Sequence, residues 1–205
     1  GTLLGLEISS SLDWTGHIEK LINLLHQRSS LLYRIKDKWP KDILIQVGES
    51  LVNSKIRYGI AVYSGPNIRF CETDPKNYWL EKIQVAQNTL MRMILNVTRQ
   101  DKISIRELLK RTGYLSTNQM AVYHTLLECF SIINYNSVPY LREQFLNRHI
   151  SGHGTRGANR FLIVTPNPSK KKHMGFPSQA ASAWNSLPEE LKNIEKRGLF
   201  CRRIR

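Results

Sequence analysis

Apolar residues recur along most of this chain at helical spacing. In the stretch TGHIEKLINLLHQRSSLLYRIKDKW, Ile18, Leu21, Ile22, Leu25 and Leu32 fall on one helical face, while Lys20, Gln27, Arg34 and Lys38 share a stripe elsewhere on it. Asp13 or Thr15 is the expected cap, and Pro40 ends the helix. The next helix, about residues 42–58, is apolar on two sides: Ile43, Val47 and Leu51 on one, Ile45, Val52 and Ile56 on the other. That pattern predicts a helix sandwiched in the core.

After the loop YSGPNIRFCETDP, Asp74 as cap and Pro75 at the first helical position open a third helix running to about Val97. Its stripe of Trp79, Ile83, Ala86, Leu90, Ile94 and Val97 makes Trp79 a core anchor rather than a ligand platform. Ser104 and Glu107 read as a capping box for SIRELLKR, which Gly113 stops. Ser116 begins another helix with Met120, Tyr123, Leu127 and Phe130 on its buried face, and NYNSVPYLREQF leads into one more.

The two ends read differently. Leu3 to Ile8 alternates around Gly5, as in a short hairpin or extended segment. Beyond Arg148, closely spaced Gly and Pro surround the β-prone RFLIV, which predicts an extended basic segment or two-stranded hairpin. SQAASAWNSL then forms a short helix with Trp184 inward, and Ser186, Pro188 and Glu189 start a last one. The fold class expected is mainly α: a helical bundle with a short N-terminal β segment and a basic hairpin or extended segment near the C-terminus.

Charge narrows the function. Thirty Lys and Arg face 16 acids among 205 residues, a formal charge of +14, and no acid occurs from Gln144 to Pro188. Such a surface attracts polyanions, and without an apolar run long enough to span a bilayer, nucleic acid is preferred over a membrane. Cys71, Cys129 and Cys201 are too far apart for a zinc or disulfide framework, and Cys129 sits in an apolar helical pattern as a small buried hydrophobe. The chain opens on GTLLGLEI without an initiator Met, and the expectation is an excised fragment.

Catalysis finds little support in the residues. Metal-dependent polymerase or nuclease chemistry needs clustered carboxylates, whereas Asp13, Asp37, Asp42, Asp74 and Asp101 are isolated at expected helix ends or loops. Binding is better provided for. Arg156, Arg160 and the run Lys170, Lys171 and Lys172 can neutralise phosphates, beside glycines that let backbone N–H groups approach the same oxygens. Phe161 or Phe176 can stack on a base or dock the segment onto the helices.

Several elements occur in an order that resembles the region after the palm in reverse transcriptases of non-LTR (LINE-type) retrotransposons. LLGLEISSSLDWTGHIEKL supplies Leu4, Gly5, Trp14, His17 and Ile18; KIRYGIAVYSG supplies Tyr58 and Gly59; LEKIQVAQNTLMRMILN has the form Leu-x-x-Ile-Gln-x-x-Gln. HGTRGANRF contributes His153, Thr155 and Arg156, and GFPSQAASAWNSLPEELKN contributes Gly175 and Ala183 to Pro188, with Trp184 and Asn185 between. The resemblance implies the end of the palm at 1–12, thumb-like helices at 13–70, a C-terminal helical bundle at 71–147, and a basic segment with terminal helices at 148–205. It further implies a fragment of an RNA-directed DNA polymerase that binds RNA template, RNA/DNA hybrid or primer duplex through backbone contacts, with Lys20, Arg34 and Lys38 on the gripping face. The catalytic aspartates and their divalent metal, magnesium, would belong to the upstream polymerase domain, leaving no cofactor here. The expected location is intracellular, in cytoplasm and nucleus as a ribonucleoprotein, not secreted. The alternative is a non-enzymatic helical module, degenerate or host-captured, that contacts protein or nucleic acid.

Overall fold

The computed structural model describes residues 1–10, 14–64, 77–146 and 176–205. Within them the chain is mainly helical, with a two-stranded antiparallel sheet at its N-terminal end. The hairpin expected between His153 and Met174 lies outside the described residues. Two compact units divide the chain: Gly1–Tyr63 with Lys76–Met120, and Ser64–Pro75 with Ala121–Arg205.

The first unit opens on strands β1 (Thr2–Leu3) and β2 (Leu6–Glu7), paired Thr2 to Glu7 and Leu3 to Leu6. Leu4 and Gly5 between them both have positive φ, 49° and 80°, which gives the primed two-residue turn whose twist suits a hairpin. Helix α1 (Thr15–Ile35) buries Ile18, Leu21, Leu25, Ser29 and Leu32, while Ile22 is half-buried at the margin. Its cap differs from expectation. Thr15 is the first helical residue, Trp14 occupies the cap position, and no side chain there bonds the free N–H groups; Asp13 lies outside the described residues.

Residues 41–57 are helical throughout but not uniform: α2 (Lys41–Gly48) and α3 (Ser54–Arg57) are joined by a π turn at Glu49–Asn53, where the Ser54 N–H reaches back to the Glu49 carbonyl. Leu44, Gly48, Val52 and Ile56 are buried. A four-residue spacing drifts by roughly 40° per step in a regular helix, and the extra residue of the π turn takes about 100° back, so the row stays on one side. The sandwiched helix expected here is therefore corrected: Ile43 and Leu51 are exposed, Val47 is half-buried, and one side alone packs. Gly48 is needed for close approach, because a Cβ would stand 2.6 Å from the Tyr114 hydroxyl, which donates to the Ile45 carbonyl at 2.6 Å.

A short helix, α4 (Ile60–Tyr63), buries Ile60, Ala61 and Tyr63. Helix α5 (Tyr78–Leu95) starts later than expected, since Asn77 rather than Asp74 caps it, accepting from the N–H groups of Trp79 and Leu80. Leu80 lies in the core and Trp79 is half-buried beside Tyr78 and the Lys82 ammonium, so the core-anchor role expected of Trp79 is corrected as well. At the other end Asn96 takes φ 53°, and the N–H groups of Asn96 and Val97 bond Met93 and Arg92 in a Schellman-type stop two residues before the expected Val97 end.

Helix α6 (Ile105–Thr112) has the Ser104 cap and the left-handed Gly113 stop read from the sequence. The capping box is only half made, however, because the Glu107 carboxylate turns to Arg111 at 2.7 Å instead. The reciprocal box belongs to the next helix, α7 (Thr117–Tyr135): Gln119 N–H donates to Ser116 Oγ, and Ser116 N–H to Gln119 Oε1.

The greater part of α7 lies in the second unit with α8 (Pro139–Leu146), α9 (Phe176–Asn185), α10 (Glu189–Lys192) and α11 (Arg197–Arg203). Leu126, Cys129 and Ile132 are buried along with Leu127 and Phe130, so this part of α7 is apolar almost all round, and Tyr123 is only half-buried. Cys129 is a free, fully buried thiol, and burial pushes its pKa up. Trp184 is buried, as expected. The helix at Glu189 is not the last one: α11 follows and buries Phe200. Nor does Ser186 cap α10, for its hydroxyl donates back to the Ala183 carbonyl and Pro188 holds the cap position.

Candidate nucleic-acid interface

The candidate face in the first unit lies on α1. Burial of Ile18, Leu21, Leu25 and Leu32 fixes the helix's rotation, which leaves Lys20, Gln27 and Arg34 exposed on the opposite side. Fourteen residues of helix separate Lys20 from Arg34, a rise of roughly 21 Å. Lys38 is exposed too but sits in a 3-10 turn, Lys36–Lys38, after the α-helix has ended. Three residues of tighter winding turn it roughly 60° off the stripe.

The cations on this face are not equally free. Lys20 lies 2.7 Å from the Glu7 carboxylate while staying largely exposed, a pairing that water screens. Arg34 has no described ion-pair partner. Lys36, which the periodic pattern passed over, sits 4.8 Å above the Tyr33 ring and donates to Asn96 Oδ1 at 3.2 Å, joining the ends of α1 and α5.

The Leu4–Gly5 and Tyr58–Gly59 elements meet in this unit. Tyr58 donates its hydroxyl to the Leu4 carbonyl at 2.5 Å. Beside it Gly59 has φ 70°, and a Cβ there would lie 2.9 Å from the Leu6 methyls. Thus the Leu4–Gly5 turn rests on Tyr58–Gly59, although more than fifty residues of chain lie between them. Trp14 and His17 hold the other side: the His17 ring is 6.4 Å from Trp14 and 5.2 Å from Tyr63, and its Nδ1 faces the Glu7 N–H at 3.5 Å.

This seat should be acid-sensitive. Burial holds His17 below its usual titration range, with the Glu7 charge pulling the other way, and the hydrogen bond from Lys20 holds the Glu7 carboxyl below its own. For both groups the unfolded chain takes up protons first, so stability present at neutral pH is lost as pH falls, beginning near the ordinary His value of about 6.5. The expected result is a urea midpoint that drops between roughly pH 7 and pH 5, and more shallowly in His17→Gln. Parallel pH profiles for the two proteins would overturn the assignment.

Gln84 and Gln87 of the Leu-x-x-Ile-Gln-x-x-Gln element are buried. Gln87 Nε2 donates to Asn53 Oδ1 and to the Leu115 carbonyl, Gln84 Nε2 donates to Gln87 Oε1 and Asn88 Oδ1, and Thr117 N–H donates to Gln84 Oε1. Asn53 passes the chain to the Glu49 carboxylate at 2.6 Å, which Arg57 meets at 2.5 Å. These amides therefore tie α5 to the π turn and to the start of α7. The signal for them was two glutamines three residues apart inside an apolar stripe.

In the second unit Trp184 packs in the core, Leu187 N–H bonds the Trp184 carbonyl, and Lys192 Nζ donates to the Asn185 carbonyl. With Pro188 at the α10 cap, the Trp184–Pro188 element covers the end of α9 and the turn into α10. Arg156, Arg160, Lys170, Lys171 and Lys172, and with them His153, Thr155, Phe161 and Gly175, lie outside the described residues. Phe176 packs against the core of the second unit.

No group of three His, Cys, Asp or Glu side chains able to hold a metal occurs among the described residues, and none of their helices is long and apolar enough to cross a membrane. Asp101 closes its own turn, accepting from Thr98 N–H and Oγ1 at 2.5 and 2.9 Å, and these bonds hold its pKa down. No protein-family model matches the chain, and no curated protein or solved structure matches it either.

Proposed function

We propose that this chain is a nucleic-acid-binding region of the kind that follows the palm in a non-LTR retrotransposon reverse transcriptase, a thumb-like helical bundle with a basic C-terminal segment. It grips the backbone of an RNA/DNA hybrid or primer duplex and carries none of the catalytic carboxylates. The observation that carries the reading is the α1 face, where Lys20 and Arg34 project opposite a fully packed apolar row. Backbone contacts need positive charge on a rigid element and no base-reading side chains, which is what a long packed helix offers. The seating of Leu4–Gly5 on Tyr58–Gly59 supports treating two of the resemblance's elements as parts of one built feature. Magnesium and the polymerase chemistry belong, in this reading, to an upstream domain of the same polyprotein, and the setting is an intracellular ribonucleoprotein.

A triple variant tests it. Lys20→Ala, Arg34→Ala and Lys38→Ala together should weaken binding to an RNA/DNA hybrid and reduce the slope of log affinity against log salt by about 2, less than three full contacts because Lys20 is shared with Glu7. An unchanged slope would exclude this face.

The second reading, a non-enzymatic interaction module, is favoured by the exposed Ile43 and Leu51 on the free side of residues 41–57. It predicts that Ile43→Ser with Leu51→Ser abolishes association with a protein partner while hybrid binding stays as it was.

A further inference from the structure

Residues 196–205 read KRGLFCRRIR, five cations without an acid. They are not a loose tail. Phe200 of α11 is fully buried and stacks on Phe130 at 4.4 Å between ring centres and 23° between planes, with Trp184 at 5.9 Å. Cys201 and Ile204 pack on the same core. The start of the helix is clamped as well, because Tyr135 Oη accepts from the Arg197 N–H at 3.2 Å and donates to the Glu195 carbonyl at 3.1 Å.

With its apolar face fixed, α11 leaves Lys196, Arg197, Arg202, Arg203 and Arg205 exposed. None of the five makes an ion pair with a described carboxylate, and Arg202 Nε donates to the Gly198 carbonyl in its own helix. Burial and the neighbouring Cys201 thiol push the Tyr123 hydroxyl's pKa up, and the charges of Arg205 and Arg197 oppose that rise.

A purely structural role accounts for some of these charges and not for others. Arg202 and Arg203 lie in the last turn, where a cation suits the helix dipole. Lys196 and Arg197 stand at the start, where it does not, and like charges crowded on so short a helix repel one another.

We propose that α11 with its flanks Lys196 and Arg205 is a second nucleic-acid-binding surface, separate from the α1 face, whose arginine forks take the phosphate oxygens of an RNA or hybrid backbone. A phosphodiester chain fits better than an anionic membrane. Phe200 is buried and Cys201 and Ile204 are half-buried, leaving Leu199 as the helix's one exposed apolar side chain, too little for insertion. The choice of polyanion rests on the nucleic-acid-binding reading above but not on its reverse-transcriptase ancestry.

The test uses the full chain with Arg197→Gln, Arg202→Gln, Arg203→Gln and Arg205→Gln combined, beside the α1 triple variant and a version with the same four arginines changed to Lys. Binding to a short RNA/DNA hybrid and to single-stranded RNA is measured across a salt series, with near-ultraviolet dichroism checking that Trp184 keeps its packing. The Gln variant should lose about 3 from the salt slope and at least about tenfold in affinity at low salt, and the Lys variant should keep most of both. If the Gln variant binds like wild type while the α1 variant is impaired, the α11 surface falls and the α1 reading stands. The reverse result removes the α1 face and keeps α11. If neither changes, both fail. Loss of binding to phosphatidylserine vesicles with oligonucleotide binding intact would make the surface a membrane contact and overturn the proposal.

Discussion

Phe200→Ala is expected to lower the stability of the second unit by about 3 to 5 kcal/mol. The side chain is fully buried between Phe130 and Trp184, so truncation removes its own transfer energy, a stacked ring contact, and the one fully buried side chain of α11. Three of the four tryptophans, Trp14, Trp39 and Trp79, belong to the first unit, and changing them to Phe leaves Trp184 as a reporter for the second. Urea unfolding followed by Trp184 fluorescence would then give the loss directly. A change below about 1 kcal/mol would mean that α11 is not seated as described.

Gln87→Leu should cost the first unit about 2 to 4 kcal/mol despite adding apolar surface to a buried site. It strips the donor from Asn53 Oδ1 and from the Leu115 carbonyl, and orphaned buried acceptors cost roughly 1 to 3 kcal/mol each, only partly offset by the leucine. The double change Asn53→Leu with Gln87→Leu should cost clearly less than the two single changes added together, because it removes both halves of one buried bond. Urea midpoints read from Trp79 fluorescence would decide the matter. Additive losses would show that the amides act independently and do not tie the π turn to α5.

The helices themselves were written plainly in the apolar period and in local punctuation: Ser104, Gly113 and Ser116 stand where their side chains and backbone conformations are needed. Phase was harder to read. Trp79 and Leu80 are both apolar neighbours, so the spacing admits either on the packed side, and the row that packs, Leu80, Ile83, Gln87, Leu90, Met91 and Ile94, puts Leu80 inside. On residues 41–57 two apolar rows looked equivalent, and the π turn that keeps Leu44, Gly48, Val52 and Ile56 in line has no signature in the period of a regular helix. α11 has no clear apolar period, because Leu199 and Phe200, with Ile204 just past its end, sit among five cations. The candidate face on α1 was half visible: the stripe followed from spacing, but the partner Glu7 came from a strand whose approach only folding sets. Contacts such as Tyr58 with Leu4 join segments far apart in the chain, and no local pattern encodes them.

The π turn at Glu49–Asn53 also bears on how this chain can change in length. A π turn is in effect one inserted residue, accommodated by widening a single turn rather than by rotating everything after it. Losing one residue within Glu49–Asn53 would close the turn to ordinary α geometry and leave Leu44 and Ile56 facing the same core, whereas losing one from α2 would swing the two halves apart by about 100°. A single-residue gap inside this helix would therefore mark a tolerated ancestral insertion, one whose removal spares the apolar row but dismantles the Glu49–Asn53 link to Gln87.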